Sequence, residues 1–358
     1  MGEVLGIGCT HYPGLLRGPN AYTGTTRYLL QNPVVSDRMR DIANWPEGAQ
    51  DEWANQEEAS VLHEQQMIAA FRKLRKVIDD FNPDVVLMWG DDQYENYHED
   101  LVPPLVVHCD AEFNDVDPLS SAPNNPWGEP ADKTWNFKGS QDLAKHIATQ
   151  LLERDFPVSY SLEASHAKHR MAHAFANTLL YLDWDRKGWD YPIIPFSVNA
   201  LGRNFEVSRA GFDHLKPELA GSDIDLFQSP PGPSPKSLYR LGKLVREIID
   251  ERPERVVIMT TSSWSHSFLT QKNEWLFPDR DTDRAHFEQL KAGEQYKWAD
   301  ITNNENEAAG GHEWKMWVAL AGAMEGQTPT IVDYMESWVF NSDKCFCYFE
   351  PTPVAVAR

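Results

Sequence analysis

The chain alternates short apolar segments with longer amphipathic ones, and this alternation restricts its possible folds more than any other sequence feature. The apolar segments are rich in β-branched residues and predict strands at residues 4–9, 85–89, 105–107, 157–161, 193–198 and 256–260. The segments between them predict helices at about residues 57–81, 142–154, 172–182, 236–251 and 311–324. We therefore expect an α/β fold, with a central mixed sheet flanked by helices and an active site at the strand ends.

We expect residues 1–358 to form a single catalytic domain. The Pro- and Gly-rich stretches at residues 117–130 and 229–235 predict loops rather than linkers, because strands and helices continue to alternate on both sides of each. Residues 15–53 lack clear periodicity and are expected to wrap the surface or cover the site.

The charge of the chain excludes two classes of partner. With 33 basic and 54 acidic residues, the formal net charge is −21, so nucleic acid and anionic membrane surfaces should be repelled. No stretch approaches the roughly 20 apolar residues of a membrane span, and the first residues lack the basic region of a signal peptide. The four cysteines form no CxxC pair. These features predict a cytoplasmic protein with free thiols.

Two motifs place polar residues directly after predicted strands. His11 follows the first strand and precedes Pro13, so it is either a metal ligand or a hydrogen-bonding histidine in a turn. The second strand breaks at Gly90 into a polar cluster that begins with Asp91, Asp92 and Gln93. That cluster indicates metal or substrate binding, or else a solvated turn.

Two further motifs come late in the chain. A run of small hydroxyl residues after the strand at 256–260 leads to His266, whose imidazole suits general acid/base catalysis. Glu313 lies at the start of the last predicted helix and shares a face with Trp317. A carboxylate on an apolar face needs a cation, a metal or a proton, although acidic residues are also favoured in any first helical turn.

Taken together, these motifs resemble the class III extradiol ring-cleaving dioxygenases, of the protocatechuate 4,5-dioxygenase catalytic-subunit type. The correspondences follow the family order from residue 4 to about residue 325. They are Thr10-His11-Tyr12-Pro13, Pro83-Asp84-Val85-Val86 leading to Asp92-Gln93, Leu101-Val102-Pro103-Pro104, the strand at 194–199, Ser265-His266, and Glu313 with Trp317.

The resemblance implies a non-haem Fe(II) site, with Mn(II) as the alternative ion, in which two histidines and one carboxylate leave positions open for a catechol and O₂. By position, His11 is one ligand and Glu313 is the carboxylate. Gln93 occupies the place of the second histidine, and its carbonyl oxygen is the first candidate for that ligand. The nearby alternatives are His63, Glu95 and His98, although His63 also fits a core histidine on the apolar stripe of its helix.

The resemblance also implies roles in catalysis. His266 would be the acid/base, and His173 would contact a substrate hydroxyl, with His169 as its competitor for that role. Tyr12, Tyr94 and Trp264 are expected to stack on the ring, with core packing as the alternative. The loops at residues 117–130 and 202–217 are expected to recognise the ring substituents.

The predicted function is therefore oxidative cleavage of a catechol-type aromatic ring in aromatic compound catabolism. The expected partners are a small aromatic substrate and O₂, within a homo-oligomer. Two alternatives stay open on the same scaffold, a hydrolase and a non-catalytic binding protein with an altered metal site. The first is suggested by Ser262, Ser263 and Ser265 around His266, although no G-x-S-x-G elbow occurs.

Overall fold

The computed structural model describes residues 2–98, 100–162, 171–200 and 230–353. In these ranges the strands are β1 (Glu3–Cys9), β2 (Val85–Asp91), β3 (Leu105–His108), β4 (Glu112–Val116), β5 (Trp135–Lys138), β6 (Ser159–Ser161), β7 (Ile193–Val198), β8 (Arg255–Thr261), β9 (Thr330–Met335) and β10 (Lys344–Pro353). The α-helices are α1 (Gly24–Leu30), α2 (Asp37–Arg40), α3 (Glu47–Ala54), α4 (Gln56–Phe81), α5 (Gln141–Glu153), α6 (His173–Leu182), α7 (Pro235–Asp250), α8 (Arg280–Lys291), α9 (Asn303–Ala308) and α10 (Lys315–Ala323).

Eight of these strands form one sheet in the order β6-β3-β7-β2-β8-β1-β10-β9. Its centre is parallel, because β2 pairs in parallel with β7 and β8, and β8 pairs in parallel with β1. The outer strands on each side join this parallel centre through antiparallel pairs, β3 with β7 on one side and β10 with β1 on the other. The predicted α/β class with a mixed central sheet is confirmed.

The sheet is covered on both faces, and this explains why its central strands are almost wholly apolar. Val86 and Met88 of β2 face a core that includes Phe71 of α4 and Phe175 of α6. The alternate residues of β2 face a second core, whose members include Trp89 and residues of α5, α7 and α10. Side chains alternate between the faces of a strand, so each core receives every second residue.

Close contact between two helices supports the second face. A Cβ atom at Gly242 of α7 would lie 1.9 Å from the backbone oxygen of Ala319 in α10. A Cβ atom at Gly322 of α10 would lie 2.1 Å from the backbone oxygen of Tyr239 in α7. Glycine at these two positions lets the helix backbones approach closely.

The structure differs from the sequence prediction in several elements. β2 extends to Asp91, two residues beyond the predicted end, so Asp91 belongs to the buried strand. The last helix begins at Lys315, so Glu313 lies in the turn before it and not on its face. The pair β9 and β10 forms one margin of the sheet and was not predicted.

Residues 15–53 fold into short helices, as suits a segment without long periodicity. Within the described ranges, no helix combines the length and the apolar character needed to cross a membrane. The cytoplasmic location and the assignment of residues 1–358 to one catalytic domain stay predictions. His169 and the predicted loop at 202–217 lie outside the described residues.

Candidate metal centre

Three neighbouring strands bring the candidate residues to one edge of the sheet. Cys9 of β1 pairs with Thr261 of β8, and Trp89 of β2 pairs with Thr260, so the carboxyl ends of these parallel strands lie side by side. His11 follows β1, Asp91 ends β2 and His266 follows β8. Ligands of open α/β sheets bind at this edge, beyond the strand ends.

Trp317 fixes the start of α10 against the same edge. Its indole nitrogen donates a hydrogen bond of 2.9 Å to the backbone oxygen of Ser262, beyond the end of β8. Its ring packs on Gly8, where a Cβ atom would lie 2.3 Å from the indole. This docking places Glu313, in the turn before α10, beside the ends of β1 and β8.

His11 presents one ring nitrogen to two carboxylates. Its Nδ1 donates a hydrogen bond to the backbone oxygen of Thr261, which leaves Nε2 with a free lone pair. Nε2 lies 3.6 Å from Oδ1 of Asp91 and 3.5 Å from Oε2 of Glu313. Burial lowers the pKa of His11, against the opposing charge of Asp91. A neutral imidazole oriented by a backbone carbonyl is the usual form of a histidine ligand.

The donor atoms of His11, Asp91 and Glu313 all lie within 4.8 Å of one another, and all three residues are buried. Three of their carboxylate oxygens accept no hydrogen bond from the described part of the chain: Oδ1 and Oδ2 of Asp91 and Oε2 of Glu313. Burial, together with the charge of Asp91, raises the pKa of Glu313 well above its usual value. Buried, uncompensated carboxylates are costly, so this donor set fits a divalent cation.

Gln93, the first candidate from the sequence for the second ligand, lies in the centre and contacts Glu313. Its side-chain nitrogen donates a hydrogen bond of 2.6 Å to Oε1 of Glu313. Asp91, two residues earlier, supplies the donor atom that clusters with His11 and Glu313. The sequence analysis named Asp91 in the polar cluster but chose Gln93 as the ligand, because Gln93 holds the position of the second histidine in the family that the chain resembles.

The other predicted alternatives for the second ligand, all of them described residues, are not members of the cluster of His11, Asp91 and Glu313. The ring of His63 packs against Tyr22 and Phe340, at centroid distances of 6.0 and 5.3 Å. His98 is exposed and its Nε2 lies 3.1 Å from the backbone oxygen of Tyr94. Glu95 lines the cavity and binds His173.

The structure brings both predicted catalytic histidines to this centre. Nε2 of His266 lies 3.5 Å from Oε1 of Glu313, and burial, with the charges of His11 and Lys344, lowers the pKa of His266 to about 3. The ring of His173 meets that of His11 edge to face, with centroids 4.8 Å apart. Burial by itself lowers the pKa of His173, but the charge and hydrogen bond of Glu95 outweigh it and raise that pKa to about 10.

A cavity of about 640 Å³ lies against the centre. Its wall includes His11, Gln93, His173, His266 and Glu313. A volume of this order holds a drug-sized ligand, so a substituted aromatic ring fits.

The three residues predicted to stack on the ring lie in different surroundings. Tyr12 lines the cavity, and the ammonium group of Lys344 lies 4.1 Å from the centroid of its ring. Tyr94 is not among the described residues of the wall, and its ring packs against His98. Trp264 is fully buried in an aromatic cluster with Trp298, Trp317 and Tyr334. Tyr12 is therefore the one of the three that a ligand in the cavity can touch.

The serines near His266 have other partners. The hydroxyl of Ser263 bonds to that of Thr10 at 2.6 Å. Ser265 donates to the backbone oxygen of Ala309 and accepts from the backbone nitrogen of Asp279. Within the described residues, no serine hydroxyl is hydrogen-bonded to His266, so the geometry shows no serine–histidine pair.

Comparison with known proteins finds a family match for part of the chain. Residues 223–343 match the family described as the catalytic LigB subunit of aromatic ring-opening dioxygenase. This region includes His266 and Glu313. The resemblance predicted from the sequence is confirmed at the level of the family.

Three similar proteins share the name 2,3-dihydroxyphenylpropionate/2,3-dihydroxicinnamic acid 1,2-dioxygenase. The protein from Rhodococcus rhodochrous is 24% identical over 278 residues, which cover 71% of this chain and 80% of that protein. The protein from Paraburkholderia xenovorans LB400 is 22% identical over 291 residues, with the same coverages.

The match to the Rhodococcus globerulus protein is 28% identical over 138 residues, and it spans 37% of the length of that relative. Among solved structures, an uncharacterized protein from Escherichia coli K12 aligns with a TM-score of 0.43 and 12% identity, covering 79% of this chain and 92% of that chain.

Proposed function

We propose that this protein is a metal-dependent extradiol dioxygenase that opens a catechol-type aromatic ring with O₂, using Fe(II), with Mn(II) as the alternative ion. The observation that carries the proposal is the buried cluster of His11, Asp91 and Glu313. His11 and Glu313 of this cluster line a cavity together with His173 and His266. The family match and the names of the relatives support ring opening as the reaction.

We assign the ion to His11, Asp91 and Glu313. This set has one imidazole and two carboxylates, whereas the non-haem Fe(II) oxygenase pattern has two histidines and one carboxylate. Gln93 then acts through Glu313, since its hydrogen bond to Oε1 orients that carboxylate. Direct ligation by the Gln93 oxygen is the alternative that the sequence prediction favours.

When bound, Fe(II) supplies Lewis acidity and one-electron redox chemistry at the base of the cavity. The side chains of this protein bind the ring and move its protons. We assign to His266, whose Nε2 lies 3.5 Å from Oε1 of Glu313, the removal of a proton from a substrate hydroxyl and its return to the product. We assign to His173, which lines the same cavity, a hydrogen bond to a substrate hydroxyl, and to Tyr12 stacking on the ring.

No specific observation favours the hydrolase alternative, given the serine contacts described above. The partners in this proposal are a small aromatic substrate and O₂, and neither nucleic acid nor a membrane surface takes part. The proposal also includes assembly into a homo-oligomer, as the sequence predicts.

The experiment that tests the function combines metal analysis with O₂ uptake. Freshly purified protein is assayed for bound metal, reconstituted anaerobically with Fe(II), and screened against substituted catechols in an oxygen electrode. The proposal predicts O₂ consumption equimolar with a yellow ring-opened product. His11→Ala should abolish it, whereas His286→Phe, at a buried histidine outside the cavity, should retain it. Hydrolysis without O₂ would contradict the proposal.

A further inference from the structure

The loop that follows β2 is held closed by one buried carboxylate. Oδ1 of Asp92 accepts hydrogen bonds from the backbone nitrogens of Glu95, Asn96 and Tyr97, at 3.1, 3.1 and 3.3 Å. Its Oδ2 accepts a fourth bond, of 2.6 Å, from the side chain of Asn96. The backbone of this loop is therefore fixed, and side chains on it are held in fixed positions relative to the centre.

Glu95 projects from this loop onto the first residue of α6. Its Oε1 accepts a hydrogen bond of 2.9 Å from the backbone nitrogen of His173 and another of 2.9 Å from Nδ1 of the same residue. The first bond satisfies one of the N–H groups that a helix leaves unpaired at its start. The second is not needed for capping and acts on the imidazole alone.

The consequence for His173 is a single ring orientation. Since a carboxylate only accepts hydrogen bonds, its partner Nδ1 must carry a proton. Nε2 is then the ring nitrogen left for a ligand in the cavity, which His173 lines. The edge-to-face contact with His11, at 4.8 Å and 90°, fixes the plane of the ring.

We propose that Glu95 is a positioning residue, which holds His173 with Nδ1 protonated and Nε2 directed to the substrate. The role of Glu95 in turnover rests on the proposed function, but the state of His173 does not. Carboxylates that orient active histidines in this way typically change activity 10- to 100-fold when removed.

The chain offers a matched control for the loss of backbone hydrogen bonds alone. Oε2 of Glu52 also accepts two hydrogen bonds, from the backbone nitrogens of Trp338 and Val339, at 2.5 and 3.0 Å. Neither bond involves an imidazole, and Glu52 is not among the described residues that line the cavity. Glu95 likewise accepts from two backbone nitrogens, those of His173 and Gln93. Glu52→Ala therefore removes a similar pair of backbone contacts without touching His173.

The first test measures the ring of His173 by NMR in the metal-free full-length chain labelled with ¹⁵N-histidine. The signal is assigned by its loss in His173→Gln. We expect an Nδ1–H cross-peak protected from solvent exchange in the wild type and in Glu52→Ala, and lost in Glu95→Ala. Glu95→Gln, whose carbonyl oxygen can still accept, should restore it. A wild-type His173 with Nδ1 unprotonated would overturn the proposal, whether or not Glu95→Ala folds.

The second test measures turnover of the Fe(II)-loaded variants. Glu95→Ala should lower kcat at least tenfold with metal affinity changed less than threefold, and Glu95→Gln should lower kcat less. Glu52→Ala should leave kcat unchanged. A fall in Glu95→Ala that Glu52→Ala reproduces would assign Glu95 a capping role only. If no catechol is cleaved even by the wild type, the proposed function fails, while the NMR result still decides the state of His173.

Discussion

The side-chain nitrogen of Gln93 donates a hydrogen bond of 2.6 Å to Oε1 of Glu313, joining the loop after β2 to the turn before α10. The bond leaves Oε2 of Glu313 directed at Nε2 of His11, 3.5 Å away. Gln93 thus occupies the sequence position of a ligand and makes the contact of a residue that orients one.

Replacing Gln93 separates these two roles. Gln93→Leu removes the hydrogen bond to Glu313 but leaves His11, Asp91 and Glu313 in place, so the affinity for Mn(II) should fall roughly 10- to 100-fold, as for an outer hydrogen-bond partner. Isothermal titration calorimetry of the metal-free protein measures it. A loss as large as that in His11→Ala would instead make Gln93 a ligand.

Asp91→Asn should have opposite effects on metal binding and on the stability of the metal-free protein. Binding of Mn(II) should weaken at least a hundredfold, because one of three ligands loses its charge. The free energy of unfolding of the metal-free variant, measured by urea denaturation, should rise by on the order of 1 kcal/mol, because the substitution replaces a buried carboxylate without hydrogen bonds by a neutral side chain.

The control for this variant is Asp117→Asn, since Asp117 lines the same cavity outside the ligand cluster. Its affinity for Mn(II) should stay within threefold of the wild type. Wild-type affinity in Asp91→Asn would remove Asp91 from the ligand set.

His266→Gln should retain metal and lose turnover. The glutamine keeps a polar side chain next to Glu313 but cannot take a proton, and the loss of a general acid/base typically lowers kcat about 10²- to 10⁴-fold. Metal content by mass spectrometry and steady-state O₂ uptake check the two halves of the prediction. Unchanged kcat would exclude His266 from the proton transfers.

His286, which does not line the cavity, predicts a pH dependence of the free energy of unfolding. It is buried, stacks on Trp314 at 4.0 Å, and burial lowers its pKa to about 4, against the smaller opposing charge of Asp279. Between about pH 6.5 and 4 the unfolded chain binds a proton that the folded chain excludes, so the free energy of unfolding falls as the pH falls through this window.

The expected loss from this one group is roughly 3 kcal/mol, at about 1.4 kcal/mol per unit of pKa. His286→Phe keeps the stacked ring without the titration, so its stability should fall less over the same window. Urea unfolding of both proteins at pH 7 and pH 4.5 measures the difference. Parallel losses in the two proteins would show that His286 does not titrate in this way.

The sequence predicted the sheet well where strands are buried on both faces. The strand at 193–198 and the helix at 57–81 agree with β7 and α4 within a residue, and Met67, Phe71, Leu74 and Ile78 are all buried. Periodicity and β-branched residues report burial directly, so these elements could be found without tertiary information.

The ligand set could be predicted only in part, because it depends on where a strand ends. His11 was found after a predicted strand and Glu313 on the apolar face of a predicted helix, and the family resemblance implied that both are ligands. Asp91 was not chosen, because Gln93 holds the position of the second histidine in that family, whereas strand pairing with β7 keeps Asp91 buried in β2. The pairing of Glu95 with His173 joins residues 78 positions apart, and no local pattern encodes it.

The most direct test of the account is a crystal structure with Mn(II) or Fe(II), recorded at the absorption edge of the metal. We expect one anomalous peak, at roughly 2.0–2.3 Å from Nε2 of His11 and from carboxylate oxygens of Asp91 and Glu313. A peak that omits His11 or Glu313, or no peak in crystals of protein that binds metal in solution, would contradict it.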